Sequence, residues 1–341
     1  MHSLPFHTQI DTAPGLLQHS QLVNPPPHDD SSSVDMLLVN PKAGGGRAGA
    51  ALPAFQNFAA RRGWKVDFYV TNSPGDLAEK ARSAAQAGRK RILALGGDGT
   101  FQLLLNAVFD HPNITLGIIP AGGGNDLAAA LGLPPDPIEA ATLLLAGEVG
   151  HLDAARVCTA DGAARLYTGG GGVGLDAEAA RHANSSYRSF PGRARYLFSA
   201  IRALLTFHAF RARILFLEPP QNTLEATALL VGVLNTPSYG AGLYLAPQAK
   251  TDDGRLELVL LEDLSLIEIL QLLPAFALRG ELNTKRIRRF PITRVRIETE
   301  SPVWFHGDGE LLGMTPVEIT VLPRAVRILR PARKINRQSP S

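Results

Sequence analysis

The residues best placed to do chemistry lie in three glycine-rich turns and one acidic tetrapeptide. Pro41-Lys42-Ala43-Gly44-Gly45-Gly46, Gly96-Gly97-Asp98-Gly99-Thr100 and Gly122-Gly123-Gly124-Asn125-Asp126 each follow an apolar run and precede a helical pattern. Glycines at such a junction let backbone N–H groups approach an anion, and the positive end of the following helix adds to the attraction. Phosphate is the anion that suits this cradle. A carboxylate among the glycines, Asp98 in the second turn and Asp126 in the third, makes sense beside phosphates mainly when a divalent cation lies between them, which points to Mg-ATP. The plainer use of both acids is as caps of the helices that follow. Near the end of the chain, Gly307-Asp308-Gly309-Glu310 offers a second pair of carboxylates, although Asp-Gly between strands is equally a hairpin signal.

The cradle is not that of the P-loop, because no G-x-x-x-x-G-K-[ST] occurs. Gly44, Gly46 and Gly49 do fit G-x-G-x-x-G after a strand, with Asp67 about twenty residues on, the outline of a dinucleotide fingerprint. Asp67 falls inside the second strand pattern, however, where the ribose-binding acid should stand at its end. A second match at Gly169, Gly171 and Gly174 lacks a strand-to-helix setting.

The elements that must position these turns follow from periodicity. Val34–Asn40 is a short apolar run entering the first turn, and Ala48–Arg62 continues as a helix. Trp64–Val70 alternates as a strand. Ser73-Pro74-Gly75-Asp76 gives an N-cap, a first-turn proline and an acid at the capping-box position before the next helix. Arg91–Leu95 and Thr115–Ile119 are further strands, with Phe101–Phe109 a helix between them. This alternation predicts an α/β nucleotide-binding domain with an open, mainly parallel sheet. After about Gly150 the runs become β-rich, at 164–168, 213–217, 226–234, 256–261, 293–298, 317–321 and 326–329, with helical stretches at 195–207 and 266–278. A second, all-β sandwich-like domain is expected there.

Composition excludes several classes. The chain has 341 residues, 45% hydrophobic and 19% charged, enough to bury cores and too apolar for a disordered chain. One cysteine, Cys158, rules out an internal disulfide and a cysteine-rich zinc cluster, and fits a reducing, cytoplasmic setting. A net charge of +3 with 6% aromatics gives no case for nucleic acid. No apolar run is long enough to span a bilayer, so no transmembrane segment is expected. Residues 1–33, rich in His, Pro, Asp and Ser, read as a disordered leader rather than a secretion signal, and 333–341 as a tail.

Together, NPKAGGGR (Asn40–Arg47), GGDGTFQLLLN (Gly96–Asn106), PAGGGNDLA (Pro120–Ala128), APQAKTDDGRLEL (Ala246–Leu258) and GDGE (Gly307–Glu310) resemble the diacylglycerol kinase catalytic-domain family, which includes bacterial lipid kinases and sphingosine kinases. The resemblance runs from Val34 to Pro331. It implies a two-domain lipid kinase fold with an ATP site in the cleft, residues 34–152 plus 323–332 forming the nucleotide domain and 153–322 the substrate domain. By motif position it places Asn40, Lys42, Thr71, the turn Gly96, Gly97, Asp98, Gly99 and Thr100, and Gly122, Gly123 and Asn125 near the nucleotide. It implies that Asp98, Asp126 and Asp153 organise magnesium about the phosphates. Asp253, with the carbonyls of Lys250 and Arg255, would hold a structural magnesium. Asp308 and Glu310 would serve the substrate hydroxyl, and Asp176 would contact the lipid's polar head. Two positions depart from the family pattern: Gly123 stands where a Thr or Ser hydroxyl is common, and Ala43 where Ser is common.

The expected activity is transfer of the γ-phosphoryl of Mg-ATP to a hydroxyl of a diacylglycerol-like or sphingoid lipid, with ATP and Mg2+ as cofactors. Glu310 is the first choice of base and Asp308 its metal-linked partner or alternative. The competing readings are an NAD kinase-like enzyme, a dinucleotide-dependent oxidoreductase using Gly44, Gly46 and Gly49, and a catalytically silent lipid-binding protein. A lipid acceptor needs a membrane surface. Arg279, Lys285, Arg286, Arg288, Arg289, Arg294 and Arg296 against the single acid Glu281 form a basic stretch, Arg279–Arg296, suited to peripheral contact with anionic headgroups. Arg181, Arg188, Arg193, Arg195 and Arg202 form a second one. The sequence leaves the oligomeric state open.

Overall fold

A computed structural model describes residues 34–184, 207–218, 221–240, 242–265 and 286–332, with the isolated positions 202, 267, 268 and 271. The leader, the tail, most of the expected helices 195–207 and 266–278, and the basic residues Arg188, Arg193, Arg195, Arg279 and Lys285 lie outside the described residues.

The first half alternates strand and helix: β1 (Asp35–Val39), α1 (Ala43–Arg62), β2 (Val66–Val70), α2 (Pro74–Gln86), β3 (Arg91–Gly96), α3 (Asp98–Val108) and β4 (Thr115–Pro120). Every residue of β1 and β4 is buried, as expected of parallel strands covered on both faces. Their side chains, with Phe55, Leu77, Phe101 and Leu104 from the helices, form one apolar core. Burying each such side chain contributes about 1.5–3 kcal/mol. The start of α2 is set locally, because the Ser73 hydroxyl accepts the Asp76 N–H at 3.1 Å and Pro74 fills a first-turn position.

Two short helices, α4 (Asp126–Ala130) and α5 (Pro137–Leu145), lead into the β-rich half. There β5 (Glu148–Cys158), β6 (Ala164–Tyr167) and β7 (Gly170–Gly174) precede α6 (Leu175–Asn184). The remaining strands are β8 (Phe210–Phe216), β9 (Asn222–Leu234), β10 (Leu256–Glu262), β11 (Ile287–Ile292), β12 (Arg294–Thr299), β13 (Trp304–Gly307), β14 (Glu310–Met314) and β15 (Val317–Arg330). The sheet path runs β14-β13-β7-β9-β8-β12-β15-β4-β3-β1-β2, parallel from β15–β4 to β2 and antiparallel before it. A second apolar core, including Tyr167, Phe305, Val231 and Ile297, fills this half.

The link between halves is β15. Its first residues pair with β12, and Arg327 and Ile328 pair in parallel with β4. β5 accompanies it antiparallel over nearly its full length, with a register shift between Leu322 and Val326. The two β-rich runs expected at 317–321 and 326–329 are one strand here: at Pro323 and Arg324 the chain bulges and continues.

β7 is a strand of glycines, where sequence reasoning saw no strand. Glycine is disfavoured in strands unless another group must approach the backbone closely. That is the case here: a Cβ on Gly171 would stand 2.6 Å from the His306 carbonyl oxygen, and one on Gly172 would overlap the carboxylate of Asp176.

Candidate active site

The parallel pairing of β1, β3 and β4 brings their carboxyl ends to one edge, and the three glycine turns leave from that edge. They are tied to one another. The Asn40 N–H donates to the Leu95 carbonyl at 3.1 Å, the Asn40 amide reaches the Thr100 hydroxyl at 3.0 Å, and the Ala121 N–H donates to the Gly96 carbonyl at 2.7 Å. Lys42, exposed, donates its backbone N–H to the Asn40 side chain at 3.2 Å. Thr71 turns its hydroxyl inward to the Val39 carbonyl at 3.0 Å. Asn125 closes the third turn, accepting the Gly122 N–H at 2.8 Å and donating to the Gly122 carbonyl at 3.1 Å, from a left-handed backbone with φ 62°. The Arg47 guanidinium, not singled out by the sequence reading, bonds the carbonyls of both Gly44 and Gly122. Gly97 and Gly122 touch through their backbones, so the edge is a continuous shelf of main chain.

The acids meet across the halves. Asp98 caps a neighbouring helix rather than its own, accepting the N–H groups of Asp126 at 3.2 Å and Leu127 at 3.0 Å. Asp126 accepts the Ser238 hydroxyl at 2.8 Å and the Gly242 N–H at 3.0 Å. Asp308 and Gly309, with φ 50° and 87°, make the two-residue turn joining β13 to β14, so the hairpin reading of GDGE holds. That turn also aims its acids. The Asp308 carboxylate accepts the N–H groups of Thr168, Gly169 and Gly170 at 3.0, 2.9 and 3.1 Å. Glu310, the first residue of β14, brings a carboxylate oxygen within 3.3 Å of where a Cβ on Gly99 would lie. Buried Gln102 locks the hairpin to α3 by donating to the Gly307 carbonyl at 3.1 Å.

Crowding of like charges perturbs these acids. Burial, then the charges of Asp126 and Asp308, push Asp98 up to about 7. Burial pushes Asp308 up to about 6, against the three N–H donors and His306, which lower it. Both values exceed the ordinary value of about 3.9, so the folded state binds more protons than the unfolded chain above about pH 4. Stability from these groups therefore falls as pH rises from about 4 through 7. The melting temperature of the metal-free protein should drop between pH 5 and 8, and Asp98→Asn should reduce that drop; an unchanged drop in the variant would refute this account.

Among the described residues no three acidic, histidine or cysteine side chains converge closely enough to enclose a metal by themselves.

Other expected site residues lie elsewhere. Asp153 is held by groups other than those around Asp98 and Asp126. It is fully buried, its carboxylate accepts the N–H groups of Gly254 and Arg324, both at 2.6 Å, and burial, then the charges of Asp253 and Asp252, raise its pKa against those two donors. It thus belongs with the Lys250–Arg255 turn, where Asp253 accepts the Arg255 N–H at 3.1 Å. The pairing across β5, β15 and that turn moves it, which no local motif encodes. Asp176 is also buried, bonded to Tyr239 at 3.1 Å and His306 at 3.0 Å. Asp67 sits mid-strand in β2, paired with Arg89, away from the strand end a ribose would need. The described part of the basic stretch is compensated: Arg288 faces Glu262 at 3.5 Å, Arg294 faces Glu318 at 2.5 Å and Arg296 faces Glu298 at 2.8 Å. Arg286 and Arg289 donate to the carbonyls of Asp263 and Leu245. The described arginines of this stretch thus face acids or carbonyls, and Arg294→Glu should change turnover on anionic vesicles by less than about twofold, as expected for one exposed pair.

Comparison with known proteins follows the same division of the chain. Residues 35–157 match the diacylglycerol kinase catalytic domain, and residues 169–330 match the YegS C-terminal NAD kinase beta sandwich-like domain. The chain is thus similar, over both of these domains, to proteins of the diacylglycerol kinase catalytic-domain family. A diacylglycerol kinase of Mycobacterium tuberculosis (strain CDC 1551 / Oshkosh) is 29% identical over 298 residues, covering 86% of this chain and 94% of that one. One from Bacillus subtilis (strain 168) is 29% identical over 275 residues, covering 80% and 88%. A solved diacylglycerol kinase-like chain from Bacillus anthracis str. Sterne superposes with a TM-score of 0.70 at 26% identity, over 87% of this chain and 97% of that one. These similarities support a kinase with an α/β domain followed by a β-rich one. No helix among the described residues is long and apolar enough to cross a membrane.

Proposed function

We propose that this kinase transfers the γ-phosphoryl of Mg-ATP to a hydroxyl of a diacylglycerol-like or sphingoid lipid. The observation that carries the reading is the approach of Glu310 to Gly99, at the first turn of α3 and beside the Asp98–Asp126 contact. A carboxylate there stands next to helix-terminal N–H groups able to hold phosphate.

In this mechanism the glycine shelf and Lys42 take the phosphate charge, with Asn40, Thr100 and Asn125 fixing the shape of the turns. Mg2+, held through Asp98 and Asp126 with water, would neutralise charge on the phosphate oxygens. Glu310 accepts the proton of the lipid hydroxyl as its oxygen bonds to the γ-phosphorus; the bond to the bridging oxygen breaks and ADP leaves. Asp308 steadies the hairpin that carries Glu310. The exposed turn with Asp253 and the carbonyls of Lys250 and Arg255, beside buried Asp153, offers hard oxygen donors that could hold a second, structural magnesium. Gly123 contributes only its N–H where relatives offer a hydroxyl. The lipid is met at a membrane surface, which makes the protein peripheral.

The test supplies γ-labelled Mg-ATP with dispersed diacylglycerol, with sphingosine and with NAD in parallel. Label in a chloroform-soluble product is expected. Label appearing in NADP alone would favour the NAD kinase reading, and absence of label from all three would remove the kinase assignment.

A further inference from the structure

A buried polar cluster lies behind the acids and has no part in the reaction as described. Asp176 at the start of α6, His306 in β13 and Tyr239 from the connection after β9 converge there. The Tyr239 hydroxyl donates to Asp176 at 3.1 Å and meets Nε2 of His306, while His306 Nε2 lies 3.0 Å from the same carboxylate. The rings of Tyr239 and His306 stack with centroids 5.6 Å apart. Asp176 and His306 side chains are 6% and 3% exposed, so the phenol and imidazole are held between groups with little competing water.

Tyr239 is tied to both catalytic walls. On one side it forms a closed turn: its N–H donates to the Leu243 carbonyl at 2.9 Å, and the Leu243 N–H returns to its own carbonyl at 3.0 Å. That turn presents Ser238 Oγ and Gly242 N–H together to Asp126. On the other side its ring lies on Gly170, where an added Cβ would be 2.8 Å from Tyr239 Cδ2, and the Gly170 N–H is held by Asp308. Asn235 N–H and Thr236 Oγ1 also bond the Gly169 carbonyl, at 2.8 and 3.1 Å. His306, under the ring, pairs with Gly172 and lies two residues before Asp308.

We propose that Tyr239 is a positioning residue that fixes, through this one closed turn, the spacing between Asp126 on the α/β side and Asp308 with Glu310 on the β-rich side. A phosphoryl donor bound on one wall and a base carried by the other must keep their distance to within a fraction of an ångström, and small displacements cost rate rather than binding. Without its hydroxyl, Tyr239 keeps its ring and stacking but loses the anchor to Asp176 and His306.

The kinetic part rests on the kinase reading; the structural part does not, and Tyr239→Phe tests both. Amide hydrogen exchange on the protein alone should show loss of protection at Gly242 and at Thr168, Gly169 and Gly170 together, by about tenfold or more. In turnover, kcat should fall about tenfold with KM for Mg-ATP within twofold. Ser238→Ala should also lower kcat, and the double variant should be no slower than the slower single one, since both act through one turn. Unchanged exchange at either site, a KM effect with kcat retained, or multiplicative losses in the double variant would each overturn the proposal. A wild type that phosphorylates nothing would instead overturn the kinase reading, and the exchange result would still decide the role of Tyr239.

Discussion

Glu310→Gln should lower kcat by about a thousandfold while leaving Mg-ATP affinity within about twofold, because the amide cannot take the proton of the attacking alcohol. General-base contributions run from about a hundredfold to ten-thousandfold, and the approach of Glu310 to α3 gives it no competitor at that spot on the hairpin: Asp308, the other acid of the turn, bonds three main-chain N–H groups. Glutamine is close in shape, and position 310 is exposed, so the fold should be unaffected. Isothermal titration with nucleotide, beside initial rates on lipid, separates the two effects. Full activity in the variant would show that Glu310 is not the base. Asp308→Asn is the informative companion: it should lower stability as well as rate, since the carboxylate accepts backbone donors from β7 and the residues before it.

Gly122→Ala should abolish measurable nucleotide binding. The Cβ of alanine would lie within overlap distance of Gly97 Cα, 3.0 Å from Gly97 N and 2.8 Å from Asn125 Oδ1, so it meets main chain rather than a movable side-chain end. Relief requires the second and third turns to separate, and with them the contact between Asp98 and the N–H groups of Asp126 and Leu127. The donors of the shelf would then no longer converge on one anion. A lowered melting temperature should accompany the loss, of the size typical of overpacking, about 1–3 kcal/mol. Gly132→Ala is a control for glycine replacement in general, because the added Cβ meets no atom within 4 Å, though its φ of 77° brings backbone strain. Retained nucleotide affinity in Gly122→Ala would mean that the shelf is not the phosphate site.

Legibility in the sequence varied with the range of the interaction. The α/β alternation and the glycine turns are local patterns, and the sheet carries β1, α1, β2, α2, β3, α3 and β4 in the order the periodicity implies. The glycine strand β7 was not legible, since what fits it to its place is what presses on it: Asp176, Phe305 and Tyr239 crowd its backbone from the side-chain direction. Nor were the roles of Tyr239 and His306, which lack any spacing signal, nor the long reach of Gln102 and Arg47, which lie inside the quoted motifs. The partners Tyr239 and His306 are 67 residues apart, and Gln102 reaches a carbonyl 205 residues away.

The sequence by itself determined which residue types stand at strand ends, because backbone freedom at glycine and the short reach of Asp and Asn act within a few residues. Only the tertiary structure decided which acids meet. Sheet pairing turns Asp153 toward Gly254 and Arg324, carries the Asp308–Glu310 hairpin onto α3, sets Glu318 of β15 beside Arg294 of β12 and brings Glu262 of β10 beside Arg288 of β11. Charges repel or neutralise one another by distance in space, and that distance is fixed by closure of the sheet rather than by position along the chain.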